Sequence, residues 1–373
     1  MLSRILLTAE PFAFGPAAKM AILAHELRAV GQVHVLVRDS AEEIATLNDL
    51  PVTRYGNRSA VAPLAALVDE YDLVINVMNF ELSEVLRRSQ TPAVYVDTLM
   101  WLAENRPWRK ARPARYFCQN FPGTAEKIER TEAPFECGFE LVGPILAPSP
   151  CTPRSQEHVL IALGGVGRDG FVPGRTTQYP GPLLLPLLEE IRASTTLPII
   201  VTAGRDAAQV IGDQVAGIPE VRACSLPHPQ FLAALRRSAY LLVNPGIESL
   251  YEAFETGVPT FILPSTSPSH LFQRARLRAH GLTLPGLEWP ALDEEGSIER
   301  VRRGPKSFMA MMTDEVERGL VDARLRPTLE RELGAFIAGL PQTDRVSEQT
   351  DFITAMGGHG RRTIIDAVTA LLR

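Results

Sequence analysis

Short apolar runs rich in β-branched residues alternate with amphipathic segments over the first 145 residues. That alternation predicts βαβ units wound around a parallel sheet. Strands are predicted at Arg4–Thr8, Val33–Val37, Leu73–Val77, Ala93–Asp97 and Ala114–Cys118. Between the first two, Ala21, Leu23, Ala24, Leu27 and Val30 recur at helical spacing within Ala17–Val30, and Gly31 ends the segment. Pro144, Pro148, Pro150 and Pro153 then break the pattern, because proline fits neither a helix interior nor a central strand. A second alternating series follows, with strands predicted at His158–Leu163, Pro198–Thr202, Val221–Ser225, Tyr240–Val243 and Thr260–Leu263. Beyond residue 290 the strand signal fades, and Glu299–Arg303, Ser307–Gly319, Thr328–Ala338 and Arg361–Leu372 read as helices. The expectation is an α/β chain of two doubly wound domains, 1–147 and 156–345, with 346–373 a C-terminal helix returning to the first.

Composition narrows the function classes. The 373 residues carry 38 Lys+Arg against 43 Asp+Glu, a net charge of −5, with 45% apolar and 22% charged positions. That is ordinary globular usage, which leaves no room for whole-chain disorder or a disulfide miniprotein. Mild acidity argues against a phosphate-backbone binder, so nucleic acid is not an expected partner. Cys118, Cys137, Cys151 and Cys224 form no C-x-x-C pair, so neither a zinc clip nor a redox centre is written, and reduced thiols in a cytoplasmic protein are expected. The apolar run Ile5-Leu6-Leu7 is too short for a signal peptide or a membrane span, and no integral membrane segment is expected.

Two glycine-containing stretches carry the candidate chemistry. Gly165-Val166-Gly167-Arg168-Asp169-Gly170 satisfies G-x-G-x-x-G after a strand, but a dinucleotide site needs a helix to open at once and an acidic residue at the next strand. Phe171 to Pro182 delays the helix, and Pro198–Thr202 runs into Ala203-Gly204-Arg205 with no placed carboxylate. Gly164, Gly165 and Gly167 read instead as a strand-end loop whose amides can approach a phosphate or sugar, or as a plain glycine turn. The second stretch runs Asn244-Pro245-Gly246-Ile247-Glu248-Ser249-Leu250-Tyr251-Glu252-Ala253-Phe254-Glu255-Thr256-Gly257-Val258-Pro259, between two predicted strands. A Pro-Gly turn opens a helix whose N-terminus gathers free N–H groups, so Gly246 with Ser249 offers a diphosphate seat. Glu252, one turn in, could accept hydrogen bonds from a ribose diol.

This segment resembles the donor-nucleotide motif of GT-B glycosyltransferases, in particular the branch of the lipid II-forming N-acetylglucosaminyltransferase and the natural-product glycosyltransferases. In that family a Gly-x-x-Ser/Thr-x-x-Glu-Ala-x-x-x-Gly-x-Pro run follows the fourth strand of the C-terminal domain. Gly246, Ser249, Glu252, Ala253, Gly257 and Pro259 fill it here. Pro227-His228-Pro229 is similar to the family's loop near the nucleobase. Ser265 to Ala275 is similar to the loop and helix that hold the donor sugar, with His270 and Gln273 as the polar candidates. The resemblance implies two Rossmann-like domains facing across a cleft, a nucleoside-diphosphate sugar as co-substrate, no other cofactor, and no metal; a ribose diol at Glu252 favours UDP over dTDP, with GDP open. The absence of any D-x-D agrees with the last point.

The N-terminal domain departs from the family. Where relatives carry a Gly-His-x-x-Pro start of the first helix with His as general base, this chain has Phe14-Gly15-Pro16-Ala17-Ala18-Lys19. Pro16 cannot take a proton, so a carboxylate from another strand end is needed, and Glu10, Glu81 and Asp97 are the candidates. Asp97 could equally cap a helix and Glu10 lie on the surface. Trp101, Trp108 and Tyr116, with Arg109 and Arg112, could wall an acceptor pocket or simply pack in the core. Arg168 and Arg175 could meet a uronate donor or sit in a surface loop. The expected activity is inverting, metal-independent sugar transfer, possible for a uronic acid among other sugars, to a small soluble aglycone, amino sugar or nucleobase, by a monomer or homodimer. The alternatives are a UDP-sugar hydrolase or epimerase on the same fold, or a non-catalytic GT-B-like partner protein.

Overall fold

The computed structural model describes residues 2–11, 14–56, 61–102, 112–148, 154–164, 179–290, 292, 305–340 and 345–373. The chain divides into two compact units, one of Met1–Pro150 with Ile353–Arg373 and one of Cys151–Phe352.

The first unit runs β1 (Ser3–Ala9), α1 (Gly15–Leu27), β2 (Gly31–Val37), α2 (Asp39–Leu47), β3 (Val52–Arg54), α3 (Val61–Val68), β4 (Leu73–Val77), a 3-10 turn (Phe80–Leu82), α4 (Ser83–Arg88), β5 (Ala93–Asp97), β6 (Arg115–Gln119), α5 (Thr124–Glu129) and β7 (Glu140–Val142). The strands form one parallel sheet in the order β3-β2-β1-β4-β5-β6-β7. Leu73–Val77 and Ala93–Asp97 are buried at every position, as strands covered on both faces must be. One face of the sheet carries Ile5, Leu7, Val35, Ile75 and Val96 against α1 and α2, while the other carries Leu6, Val74 and Tyr95 against α3 and α4.

The second unit runs β8 (His158–Ala162), α6 (Gly181–Ser194), β9 (Ile199–Thr202), α7 (Arg205–Val215), β10 (Val221–Cys224), α8 (His228–Arg236), β11 (Ser238–Val243), α9 (Ile247–Thr256), β12 (Thr260–Ile262), α10 (Pro268–Ala279), α11 (Pro305–Leu320), α12 (Leu325–Gly339) and α13 (Arg345–Ala355). Its parallel sheet has the order β10-β9-β8-β11-β12. The core joins Val159, Ile161, Ile199 and Leu242 to Leu183, Leu187, Leu329 and Phe336.

The last helix, α14 (Gly360–Leu371), belongs to the first unit. Ile364, Ala367 and Val368 share a core with Ala17, Met20 and Ala21 of α1, and Arg361 pairs with Glu26. The approach depends on glycine, since a Cβ on Gly360 would lie 2.0 Å from the Gly143 carbonyl oxygen. The ten strands expected from the sequence are present with ends shifted by at most two residues; β3, β7 and α13 are additional. Glu299–Arg303 lies outside the described residues.

Candidate functional site

Open α/β sheets hold ligands beyond the carboxyl ends of their strands, at the point where the winding reverses. That point falls between β8 and β11 in the second unit and between β1 and β4 in the first.

In the second unit β11 passes through Asn244-Pro245-Gly246 into α9, and no side chain caps that helix. Its first turn therefore ends in backbone N–H groups and the positive end of the helix dipole. Gly246 is in ordinary extended conformation (φ −114°, ψ 137°), and among the described residues a Cβ there would meet nothing nearer than the Asn244 oxygen at 4.0 Å. Neither backbone nor packing demands glycine, so its effect is to leave the helix end unobstructed. Ser249 is half-buried in the same first turn. Gly164 follows β8 with φ +58°, a left-handed geometry that favours glycine. Asn244 fixes this loop: its amide donates to the Leu163 carbonyl at 3.1 Å, and its Oδ1 accepts the Tyr179 hydroxyl at 2.5 Å. The sequence offered no signal for this role, because Tyr179 and Leu163 meet Asn244 only through the fold. Gly165, Gly167, Arg168 and Arg175 lie outside the described residues.

Glu252 is 5% exposed and accepts the Nε2–H of His228, the first residue of α8, at 2.5 Å on Oε1. The carboxylate expected to meet a ribose diol thus belongs to a His–Glu pair. After β12, Ser265-Thr266-Ser267 leads into α10. The Thr266 N–H and hydroxyl both donate to His270 Nδ1, at 3.3 and 3.2 Å, which puts the imidazole proton on Nε2. Burial pushes His270 down to about 3, so the ring remains a neutral donor at ordinary pH. Gln273, one turn on, is 2% exposed, and its Oε1 has no hydrogen-bond partner among the described residues. A buried acceptor left open in a packed unit calls for a ligand or water to satisfy it. Glu288 holds the preceding loop by accepting the Ser265 N–H (2.9 Å), the Ser265 hydroxyl (2.6 Å) and the Trp289 N–H (3.1 Å). Sequence reasoning did not find Glu288.

In the first unit the three candidate carboxylates fall into different environments. Asp97 is 1% exposed and accepts the Leu99 N–H at 2.8 Å and the Tyr116 hydroxyl at 3.0 Å; it ties a turn rather than capping a helix, since residues 98–102 form no helix. Glu81 is exposed and bonded through both oxygens to Arg38, at 2.6 and 2.7 Å from Nη2. Glu10, half-buried just past β1, has its carboxyl pushed up to about 7 by burial and by the neighbouring Glu81 charge; Arg38 and the Phe80 N–H oppose that shift. Glu10 combines position at the winding reversal with proton affinity near neutrality. Trp101 and Tyr116, 2% and 0% exposed, pack among Phe121, Tyr95 and Phe135, as core rather than pocket wall. Arg112 is exposed, and Trp108 and Arg109 lie outside the described residues.

Among the described residues no group of three His, Cys, Asp or Glu is placed to hold a metal, and no helix is long and apolar enough to cross a membrane.

No protein-family profile and no curated protein matches the sequence. The structure is similar to solved structures. The glycotransferase of kitacinnamycin superposes with a TM-score of 0.55 at 13% identity, over 100% of this chain and 99% of that one. The spinosyn rhamnosyltransferase SpnG complexed with thymidine diphosphate gives 0.51 at 13% identity, over 97% and 98%. The S. aureus MnaA–UDP co-structure gives 0.50 at 11% identity, over 90% and 97%. At these identities the likeness shows the fold: two Rossmann-like units with a helical C-terminus, the GT-B architecture.

Proposed function

We propose that this chain is an inverting, metal-independent glycosyltransferase that moves a sugar from a nucleoside-diphosphate donor, UDP-linked, to a small acceptor such as an aglycone, an amino sugar or a nucleobase. The observation that carries the reading is the uncapped, unobstructed N-terminus of α9 at the winding reversal of the second sheet. A diphosphate there would meet N–H groups already oriented by the helix, so charge developing on the leaving group is stabilised without reorganisation. The open Oε1 of Gln273 and the neutral His270 donor supply one acceptor and one donor for sugar hydroxyls. The His228–Glu252 pair is placed one helical turn from the diphosphate seat for the ribose. Two of the similar structures carry nucleoside diphosphates, which supports the same class of ligand here.

In the first unit Glu10 takes the role that the family's His would have filled at Pro16. Its carboxylate removes the acceptor's O–H or N–H proton; the freed electron pair attacks the anomeric carbon, and the bond from that carbon to the diphosphate oxygen breaks, with the electron pair leaving on the diphosphate. A group whose proton affinity lies near the working pH is the efficient choice for this task.

Incubation of the protein with UDP-sugars, with and without panels of aglycones, amino sugars and nucleobases, tests the reading. UDP release that requires an acceptor is expected. Equal release in the absence of every acceptor would replace transfer by hydrolysis.

A further inference from the structure

The turn after β4 carries two unfavourable features that the packing of the sheet does not require. Met78 adopts φ +58°, a left-handed geometry that is strained for a residue other than glycine. Asn79 is fully buried, yet its Oδ1 has no hydrogen-bond partner among the described residues. A second non-glycine residue with positive φ, Asp39 at +50°, follows β2. Since β2 and β4 are the two neighbours of β1, Met78 and Asp39 flank the strand end that carries Glu10, whereas the other two such residues described, Asp49 and Glu220, lie elsewhere. Such outliers persist where surrounding structure over-determines them, and they gather at working sites.

The bonds that hold the turn join it to β1, to Tyr55 and to β5, where the Met78 N–H donates to the Val96 carbonyl at 3.1 Å. The Asn79 N–H donates to Asn76 Oδ1 at 2.7 Å, and the Asn76 amide donates back to the Asn79 carbonyl at 3.0 Å. The Asn79 amide then donates to the Thr8 hydroxyl on β1 and to the Tyr55 hydroxyl beyond β3, each at 2.8 Å. Thr8 lies two residues before Glu10, whose own N–H donates to the Val77 carbonyl at 2.9 Å. The next amide in the turn, Phe80 N–H, donates to the Glu10 carboxylate. The charged groups facing Glu10 are Glu81, at the 3-10 turn after β4, and Arg38, at the end of β2.

We infer that Asn79 is a positioning residue for Glu10: by clamping the β4 turn to Thr8 and Tyr55 it holds the Phe80 N–H against the Glu10 carboxylate. The inference rests on Glu10 as the base, but its geometry can be tested without turnover. Loss of the clamp withdraws a hydrogen bond from the ionised form, which moves the carboxyl further upward.

The experiment follows the Glu10 carboxyl carbon by NMR titration of the free protein, in wild type, Asn79→Ala and Tyr55→Phe. Asn79→Ala is expected to raise the Glu10 midpoint by about half a pH unit or more, and Tyr55→Phe, which deletes one accepting hydroxyl and keeps the ring, to raise it by less. If Asn79→Ala lowers solubility, Tyr55→Phe still reports on the clamp. An unmoved midpoint in both variants overturns the positioning role and leaves the base reading standing. A raised midpoint together with full activity of Glu10→Gln would uphold the clamp and sink the base instead.

Discussion

Glu10 is where residue-scale physics makes the sharpest demands. Its carboxyl sits at about 7 in the folded chain against an ordinary 4.5, because burial and Glu81 disfavour the charge. Activity is therefore expected to rise with pH through about 7, and Glu10→Gln to lower turnover by ~10²–10⁴-fold with UDP binding unchanged, measured as acceptor-dependent UDP release. Stability runs the other way. The folded chain holds this proton more tightly than the unfolded one, so the carboxyl's contribution is fully present below pH 4.5 and is lost as the pH climbs to 7. Glu10→Gln should thus be more stable than wild type at pH 8, by ~1–3 kcal/mol in urea, with the difference shrinking toward pH 4.5. Equal stability at pH 8 would remove the strained carboxyl from the account. In the second unit, Glu252→Ala should weaken nucleotide binding by ~1–3 kcal/mol, the loss of a charge-assisted hydrogen bond. Glu10 and Glu252 were legible as candidates because a strand end and a helix turn place them. Asn79, Asn244 and Glu288 were not, since each acts through partners supplied by other elements: Thr8 and Tyr55, Tyr179, and Ser265.

At the scale of elements, the buried strands announced themselves through continuous apolar runs, whereas the two three-residue edge strands did not. Val52–Arg54 and Glu140–Val142 have at most one buried position each, so neither alternation nor an apolar run marks them; pairing to β2 and β6 makes them strands. The C-terminal helix was readable as a helix from its spacing, but its seat depends on backbone contact that sequence periodicity does not encode. Gly360 and Gly143 approach so closely that an added methyl collides with a carbonyl. Gly360→Ala is expected to destabilise the first unit by ~1–3 kcal/mol, the usual penalty for overpacking, and to expose α14 to amide hydrogen exchange. Unchanged protection in α14 would show that the glycine contact does not hold the helix.

Across the whole molecule, each sheet reverses winding once, and each reversal gathers features that packing alone leaves unexplained. In the first unit these are Glu10 with its raised proton affinity, the left-handed Met78 and an Asn79 amide oxygen without a partner among the described residues. In the second they are the N-terminus of α9 and Gly246, whose Cβ position meets no described atom nearer than 4.0 Å. The doubly wound architecture was visible in the alternation of strands and helices, and the similar solved structures share it over nearly the full chain. The central claim is that a nucleoside diphosphate docks on the N-terminus of α9, and Gly246→Val tests it, because valine suits the extended backbone there and its Cβ meets no described atom nearer than 4.0 Å. Calorimetric titration of UDP into wild type and Gly246→Val, with thermal unfolding of both as control, is the most direct measurement. Saturable binding to wild type and a loss of at least about tenfold in the variant, at an unchanged unfolding midpoint, is the predicted result, equivalent to ~1.4 kcal/mol. Equal affinity for both proteins, or no binding to wild type, would contradict it.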